Sequence, residues 1–328
     1  MSARFPVKKS SRAQAGAEPG GAAAAPALRA RVIAAHGQLL RVRTGAGEEA
    51  MARSPGRDTP VVCGDLVQCE FDARHEELRI VGLEPRSGAL YRSNARGKGE
   101  LIAANLTLLL VVVAPLPIPD FYVVDRYLAA ARCAGIRAGV LLNKIELGSD
   151  PAIDQEMLAY AQLGLDTQRV SALASTGIAE LRTLLREHTA VLVGQSGVGK
   201  SSLLRALVPD SAATVGALIR DDEGRHTTTA TWLYALPGGG ALIDSPGVRD
   251  FAPAIDRLDA SGLGFSDIEA LSAQCRFADC LHLREPDCAV QQAVGGGALG
   301  ARRYESYRRL RRLYERLHEA HPAARRRH

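Results

Sequence analysis

No apolar run in these 328 residues reaches the roughly 18 positions that a membrane-spanning helix needs. The longest, 106–114 (LTLLLVVVA), has instead the character of a strand buried on both faces of a parallel sheet. The N-terminus is without the apolar core of a secretory signal, so the expected compartment is the cytoplasm, with no membrane partner. Residues 1–27 hold almost no large apolar side chains; rich in Ala, Gly, Ser and basic residues, they are expected to be disordered. Cysteine is scarce as well, six in all. Cys63, Cys69 and Cys133 stand apart among apolar neighbours and are expected to fill cores.

The net charge of +5 is unevenly spread. Residues 1–31 carry +5. Residues 301–328, with ten arginines against three glutamates, carry +7, so the chain between stands at −7. Basic ends on an acidic middle favour contact with a polyanion, most often nucleic acid. For the N-terminal tail, solubility alone explains the charge equally well.

Three segments follow the tail. Residues 28–88 are short alternating runs broken by Gly, Pro and Asp, as in PVVCGDLVQCEF and EELRIVGLEP; this pattern predicts a small antiparallel β-barrel of OB type. Between 98 and 252, strand candidates at 106–113, 138–142, 189–193 and 241–243 alternate with helical patterns such as VVDRYLAAARCAG and GIAELRTLLREH. That alternation predicts a doubly wound α/β domain. Residues 253–328 are mixed and end in ARRYESYRRLRRLYERLHEA. There Tyr304, Tyr307, Leu310, Leu313, Tyr314 and Leu317 recur at helical spacing, giving one apolar face that packs and another rich in arginine.

Gly194, Gln195, Ser196, Gly197, Val198, Gly199, Lys200 and Ser201 fit GxxxxGK[ST], with Ser202 next and TAVLV before. Glycines let backbone N–H groups curl round phosphates, and a helix N-terminus adds its positive dipole. Lys200 is expected to reach the β- and γ-phosphates, and the Ser201 hydroxyl to ligate Mg²⁺. A chance match in a chain of this length is on the order of one per cent, so the loop is taken as a phosphate-binding loop.

A guanine reader of the form Asn-Lys-x-Asp is missing after the loop. It stands upstream, as Asn143, Lys144, Ile145 and Glu146, followed by Ser171 and Ala172, which suit a loop that buttresses the base. Downstream come Thr228 and Thr229 in GRHTTT, then Asp244 and Gly247 as a DxxG. Such a threonine completes the Mg²⁺ shell, and the DxxG senses the γ-phosphate. The motifs keep the cyclic order of a GTPase, with the starting point moved. The arrangement is that of a circularly permuted GTPase.

Cys275, Cys280, His282 and Cys288 crowd into fourteen residues. In a cytosolic chain three thiolates and an imidazole predict one closed, structural Zn²⁺ site rather than disulfides.

With the barrel, NKIE, GQSGVGKSS, GRHTTT, DSPGVRDF and CRFADCLHLREPDCAV, the chain resembles the RsgA/YjeQ family of ribosome small-subunit-dependent GTPases from about residue 28 to 320. The resemblance implies a late-acting assembly factor that binds the small ribosomal subunit and its rRNA, with GTP hydrolysis stimulated there. It also implies the same cysteine spacing. One departure is Glu146, where the family has Asp: the carboxylate is kept but moved by over an ångström. Many GTPases place a water-orienting glutamine after DxxG, but here Val248 stands there. Slow intrinsic hydrolysis is therefore expected, with His226 the nearest polar candidate to position water; an ordinary loop histidine is an equal reading. Lys200, His226, Thr228 and Thr229 form the candidate catalytic set. Two other readings stay open: an RNA-binding zinc protein with a slow or vestigial nucleotide switch, and an ATPase or small-molecule kinase. Nothing in the sequence calls for a dimer, so a monomer is expected.

Overall fold

The computed structural model describes residues 27–36, 39–56, 59–94, 97–148, 150–208, 231–244 and 252–320. His226, Thr228, Thr229 and Gly247 lie outside these residues, as does nearly all of the N-terminal tail.

The first five strands are β1 (Leu28–His36), β2 (Leu39–Thr44), β3 (Glu49–Arg53), β4 (Leu66–Asp72) and β5 (Glu77–Leu83). They pair in the order β1-β2-β3-β5-β4, and β4 returns to β1, so the sheet closes on itself as the expected barrel, with five strands whose pairings are antiparallel except for β3 with β5, which is parallel. Alternate positions point inward: Leu40 and Val42 on β2, Val67 and Cys69 on β4, and Ile80 on β5 fill its core. Cys69 thus packs as predicted, and Cys63 is fully buried beside the neighbouring domain's core.

A two-stranded hairpin, β6 (Leu90–Ser93) and β7 (Gly99–Ala103), leads to β8 (Leu108–Val113), β9 (Arg137–Leu142), β10 (Asp166–Arg169), β11 (Thr189–Val193), β12 (Thr231–Ala235) and β13 (Ala241–Asp244). Every residue of β8 is buried. Leu109, Val111 and Val113 join the core under helices α1 (Phe121–Cys133) and α2 (Pro151–Gln162). Leu108, Leu110 and Val112 join the core under α3 (Ile178–Leu185) and α4 (Lys200–Leu207). Both faces of the sheet are covered, which is why its strands read as continuous apolar runs rather than alternating ones.

The spatial order is β10-β9-β8-β11-β13-β12. Counted from β11 and running cyclically, the strands stand sixth, fifth, fourth, first, third, second. β12, not anticipated from the sequence, pairs antiparallel with β13 on one side and with β1 on the other, through Ala34–Trp232 and Ala35–Thr231. Among the described residues, barrel and α/β domain therefore share one eleven-stranded sheet.

The C-terminal segment contains α5 (Ser266–Ser272), α6 (Ala289–Gly295) and α7 (Ala301–Ala320). On α7, Tyr307, Leu310 and Tyr314 are buried, with Tyr304, Leu313 and Leu317 packed beside them, as their spacing predicts. Its other face is less basic than expected. Arg303 and Arg311 share the buried stripe at i, i+4 spacing about Tyr307. Arg311 is 3% exposed and donates to the Tyr307 hydroxyl and to the carbonyls of Ala260 and Ser261. Arg302 and Arg303 turn in to Asp125 of α1. Arg309, Arg312 and Arg316 are the arginines of α7 left exposed.

Candidate nucleotide site and metal centre

β11 ends at Val193, and the chain turns at Gly194 with φ +137°; a Cβ there would lie 2.3 Å from the Val112 carbonyl oxygen. Only glycine lets the loop pass so close to β8. The loop ends at Gly199, φ +96°, where a Cβ would fall 2.3 Å from Asn143 Nδ2, and α4 begins at Lys200. Lys200 is 7% exposed; its Nζ arches back over the loop and donates to the carbonyls of Gly194 (2.6 Å) and Gln195 (2.7 Å). Val198 anchors the loop in the core, while Ser196 and Gly197 are exposed. The Gln195 side-chain carbonyl accepts from the Asp120 backbone N–H, tying the loop to the start of α1. Ser201 is exposed in the first turn of α4, and Ser202 half-buried beside it.

Asn143 follows β9 and is 1% exposed. Its amide donates to the Val198 carbonyl (2.9 Å) and its side-chain oxygen accepts from the Ala172 N–H (3.1 Å). One buried side chain thus clamps the phosphate loop to the Ser171–Ala172 loop. That double role was not apparent from the sequence, because its partners lie 55 and 29 residues away. Lys144, left-handed at φ +62°, donates to the Leu116 carbonyl. Ile145 N–H reaches the Val170 carbonyl, and the Ser171 hydroxyl accepts from Ala174 N–H, which closes the loop on itself. Glu146 is exposed and makes no hydrogen bond or ion pair among the described residues. Asp244, 8% exposed, ends β13, the strand paired with β11. Asn143, Lys144, Ser171, Ala172, the phosphate loop and Asp244 are therefore gathered at the carboxyl ends of the parallel strands, the customary ligand-binding edge of an open α/β sheet.

The second cluster is the Cys275–Cys280–His282–Cys288 set, whose ligand atoms all lie within 4.8 Å of one another. His282 Nδ1 is 3.5 Å from Cys275 Sγ and 3.4 Å from Cys288 Sγ, and the two sulfurs are 3.9 Å apart. Tetrahedral coordination at zinc's usual bond lengths calls for about 3.5 Å between N and S and about 3.8 Å between sulfurs. The donor set fits such an ion. Burial holds the His282 imidazole below its usual range, hence neutral and able to ligate. Helix α7 braces the metal loop: the Tyr304 hydroxyl donates to the His282 carbonyl (2.6 Å) and that of Tyr307 to the Leu281 carbonyl (3.1 Å).

The model of the RsgA GTPase family matches residues 83–253. The chain belongs to the RsgA GTPase family. Its relatives include the small ribosomal subunit biogenesis GTPase RsgA of Ectopseudomonas mendocina (strain ymp), 44% identical over 235 residues that cover 70% of this chain and 68% of the relative. The solved structure of YjeQ from Thermotoga maritima superposes with a TM-score of 0.67 at 25% identity, covering 88% of this chain and 98% of that one. YloQ, described as a circularly permuted GTPase, gives the same TM-score and identity over 88% of this chain and 95% of its own. As an RsgA GTPase, the chain carries the permutation in its sheet: α3 joins what would otherwise be the last strand, β10, to what would otherwise be the first, β11. Among the described residues no helix is long and apolar enough to cross a membrane.

Proposed function

We propose that this RsgA GTPase binds GTP with Mg²⁺ at the carboxyl edge of its α/β sheet and hydrolyses it on the small ribosomal subunit, late in that particle's maturation. The observation that carries this reading is the Asn143 clamp, which joins the base-side and phosphate-side loops into one site. Lys200 takes the β- and γ-phosphates, Ser201 the Mg²⁺, Asp244 with Gly247 the γ-phosphate side, and Glu146 the guanine N1–H and amine. Residues 28–88, 98–252 and 253–328 act as barrel, GTPase and zinc-helix units. The barrel and the basic C-terminal segment supply contacts to rRNA. His226, Thr228 and Thr229 complete the switch, and slow intrinsic turnover follows from Val248 standing where a water-orienting glutamine is usual.

Phosphate release should be selective for GTP over ATP and rise by ~10²-fold or more when purified small subunits are added, as when a partner completes a GTPase site. A flat rate, or equal use of ATP, would refute the proposal. Replacing Glu146 by alanine should erase ~10²-fold or more of the preference for GTP, because the site loses the acceptor that adenine cannot satisfy. Glu146→Asp should keep that preference, and retention of full selectivity in the alanine variant would remove Glu146 as the base reader.

The metal is assigned as one structural Zn²⁺, because the four donors leave no coordination position for substrate. It staples a segment with little core of its own. Metal analysis should give about one zinc per chain, and a strong chelator should make α7 and the loop it braces sensitive to protease while the barrel stays resistant. An unchanged digestion pattern after complete zinc loss would rule out the structural role.

A further inference from the structure

A cleft of about 650 Å³ opens between the barrel and the α/β sheet. It lies at the opposite end of β11 from the phosphate loop, for Thr189, the first residue of that strand, lines it. Arg29, Arg31 and Arg43 enter from the barrel, and Arg186 and His188 from the sheet side; among the described residues Glu187 is the one acidic residue of the lining. Arg29 is neutralised by Glu84 and Arg43 by Glu49, both at 2.6 Å. Among the described residues Arg31 meets no carboxylate: the one hydrogen bond of its side chain runs to the Thr189 hydroxyl (2.8 Å), and its Nε is buried with no partner. Burial accordingly lowers its pKa. Arg186 is exposed, and its side chain forms no ion pair or hydrogen bond among the described residues.

A partly desolvated guanidinium without a counter-charge is unfavourable unless something else supplies the anion. The planar donor fork of arginine matches phosphate oxygens, and the cleft is of a size that holds one nucleotide unit. We propose that this cleft binds phosphate, with Arg31 and Arg186 as its principal donors and Arg29 and Arg43 at the rim. The proposed work on an RNA-rich particle makes a backbone phosphate of single-stranded RNA the expected source; a small free phosphate compound is the other source of the same chemistry.

The test uses the full chain saturated with GDP and Mg²⁺, so that the phosphate loop is filled. Two probes are titrated: a fluorescent single-stranded RNA 12-mer, and inorganic pyrophosphate followed by thermal shift. Arg31→Gln/Arg186→Gln should weaken RNA binding about tenfold. It should also flatten the salt dependence by about 1.4 in the log–log slope, the loss of two single-strand phosphate contacts. Arg79→Gln, on the barrel outside the cleft, should change neither, and Arg31→Lys/Arg186→Lys should recover most of the RNA affinity. If instead pyrophosphate stabilises the wild type but not the glutamine variant while RNA binding is equal, the cleft is a small-phosphate site and the proposal stands with that source. Equal responses of wild type and glutamine variant to both probes would overturn it. Basal GTP hydrolysis should be unaffected by these changes. Neither probe requires ribosomal subunits, so failure of subunit stimulation and failure of the cleft are separately visible.

Discussion

Asp125→Ala is expected to cost about 3 kcal/mol, the low end of the range for removing one partner from a buried ion pair. Asp125 is fully buried on α1, and its two oxygens take Arg302 (2.6 Å) and Arg303 (2.6 Å) from α7, with the Tyr160 hydroxyl at 2.9 Å. Arg303 also makes paired contacts to Asp267, and Arg302 bonds Glu156. The guanidinium groups lie over the rings of Phe265 and Phe121 as well, at 4.3 and 5.4 Å. With the carboxylate gone, Arg302 keeps Glu156 and Arg303 keeps Asp267, but both lose their shared acceptor in the most buried part of the cluster and the Tyr160 hydroxyl loses its partner. Unfolding of a chain with several domains is not one transition, so the readout is amide exchange of α7. Protection across 301–320 should fall by ~10²-fold or more while the barrel is unchanged. Protection equal to wild type would show that Asp125 does not hold the helix. Replacing Asp125, Arg302 and Arg303 together with Asp267 and Glu156 by uncharged residues of similar volume should restore much of it, since a buried ion cluster is costly chiefly when broken.

Lys200→Ala should reduce GTP hydrolysis by ~10²–10³-fold, the usual loss when one preorganised charge donor is taken from a transition state. It should also weaken nucleotide binding. The residue is nearly buried, held by two carbonyls of the loop it serves, so its charge is preorganised before ligand arrives. Circular dichroism and thermal unfolding would establish that the variant is folded, and turnover within a few-fold of wild type would exclude Lys200 from the chemistry.

What the sequence made legible was contiguous. The phosphate loop, NKIE and the cysteine set each place their chemistry within a short run, and local backbone rules suffice to read them. The buried strands 106–113 and 189–193 were equally plain, because burial on both faces leaves an unbroken apolar signature. The Asp125 cluster was not legible. Its partners stand as far as 178 residues away, and each is an ordinary charged residue on its own helix. The same blindness made α7 look more basic on its surface than it is. Helical periodicity places Arg303 and Arg311 beside Tyr307, but only the packed carboxylate and carbonyls explain why arginine is tolerated there. Strand β12 was missed because TWLYA is short and follows a polar stretch.

Moving the starting point of the chain also changes the order in which its parts can be made. The barrel is complete by Leu83, yet one edge of its first strand pairs with Trp232 and Thr231, roughly 200 residues later. During synthesis that edge emerges long before its partner and stays an open strand in the meantime. The base-side loop likewise exists before the phosphate loop that Asn143 must clamp. Closing the sheet and completing the nucleotide site are therefore late and non-local events, the kind that chain topology makes slow. A nascent or truncated chain ending before β12 would present a finished barrel with no means of joining it to a switch.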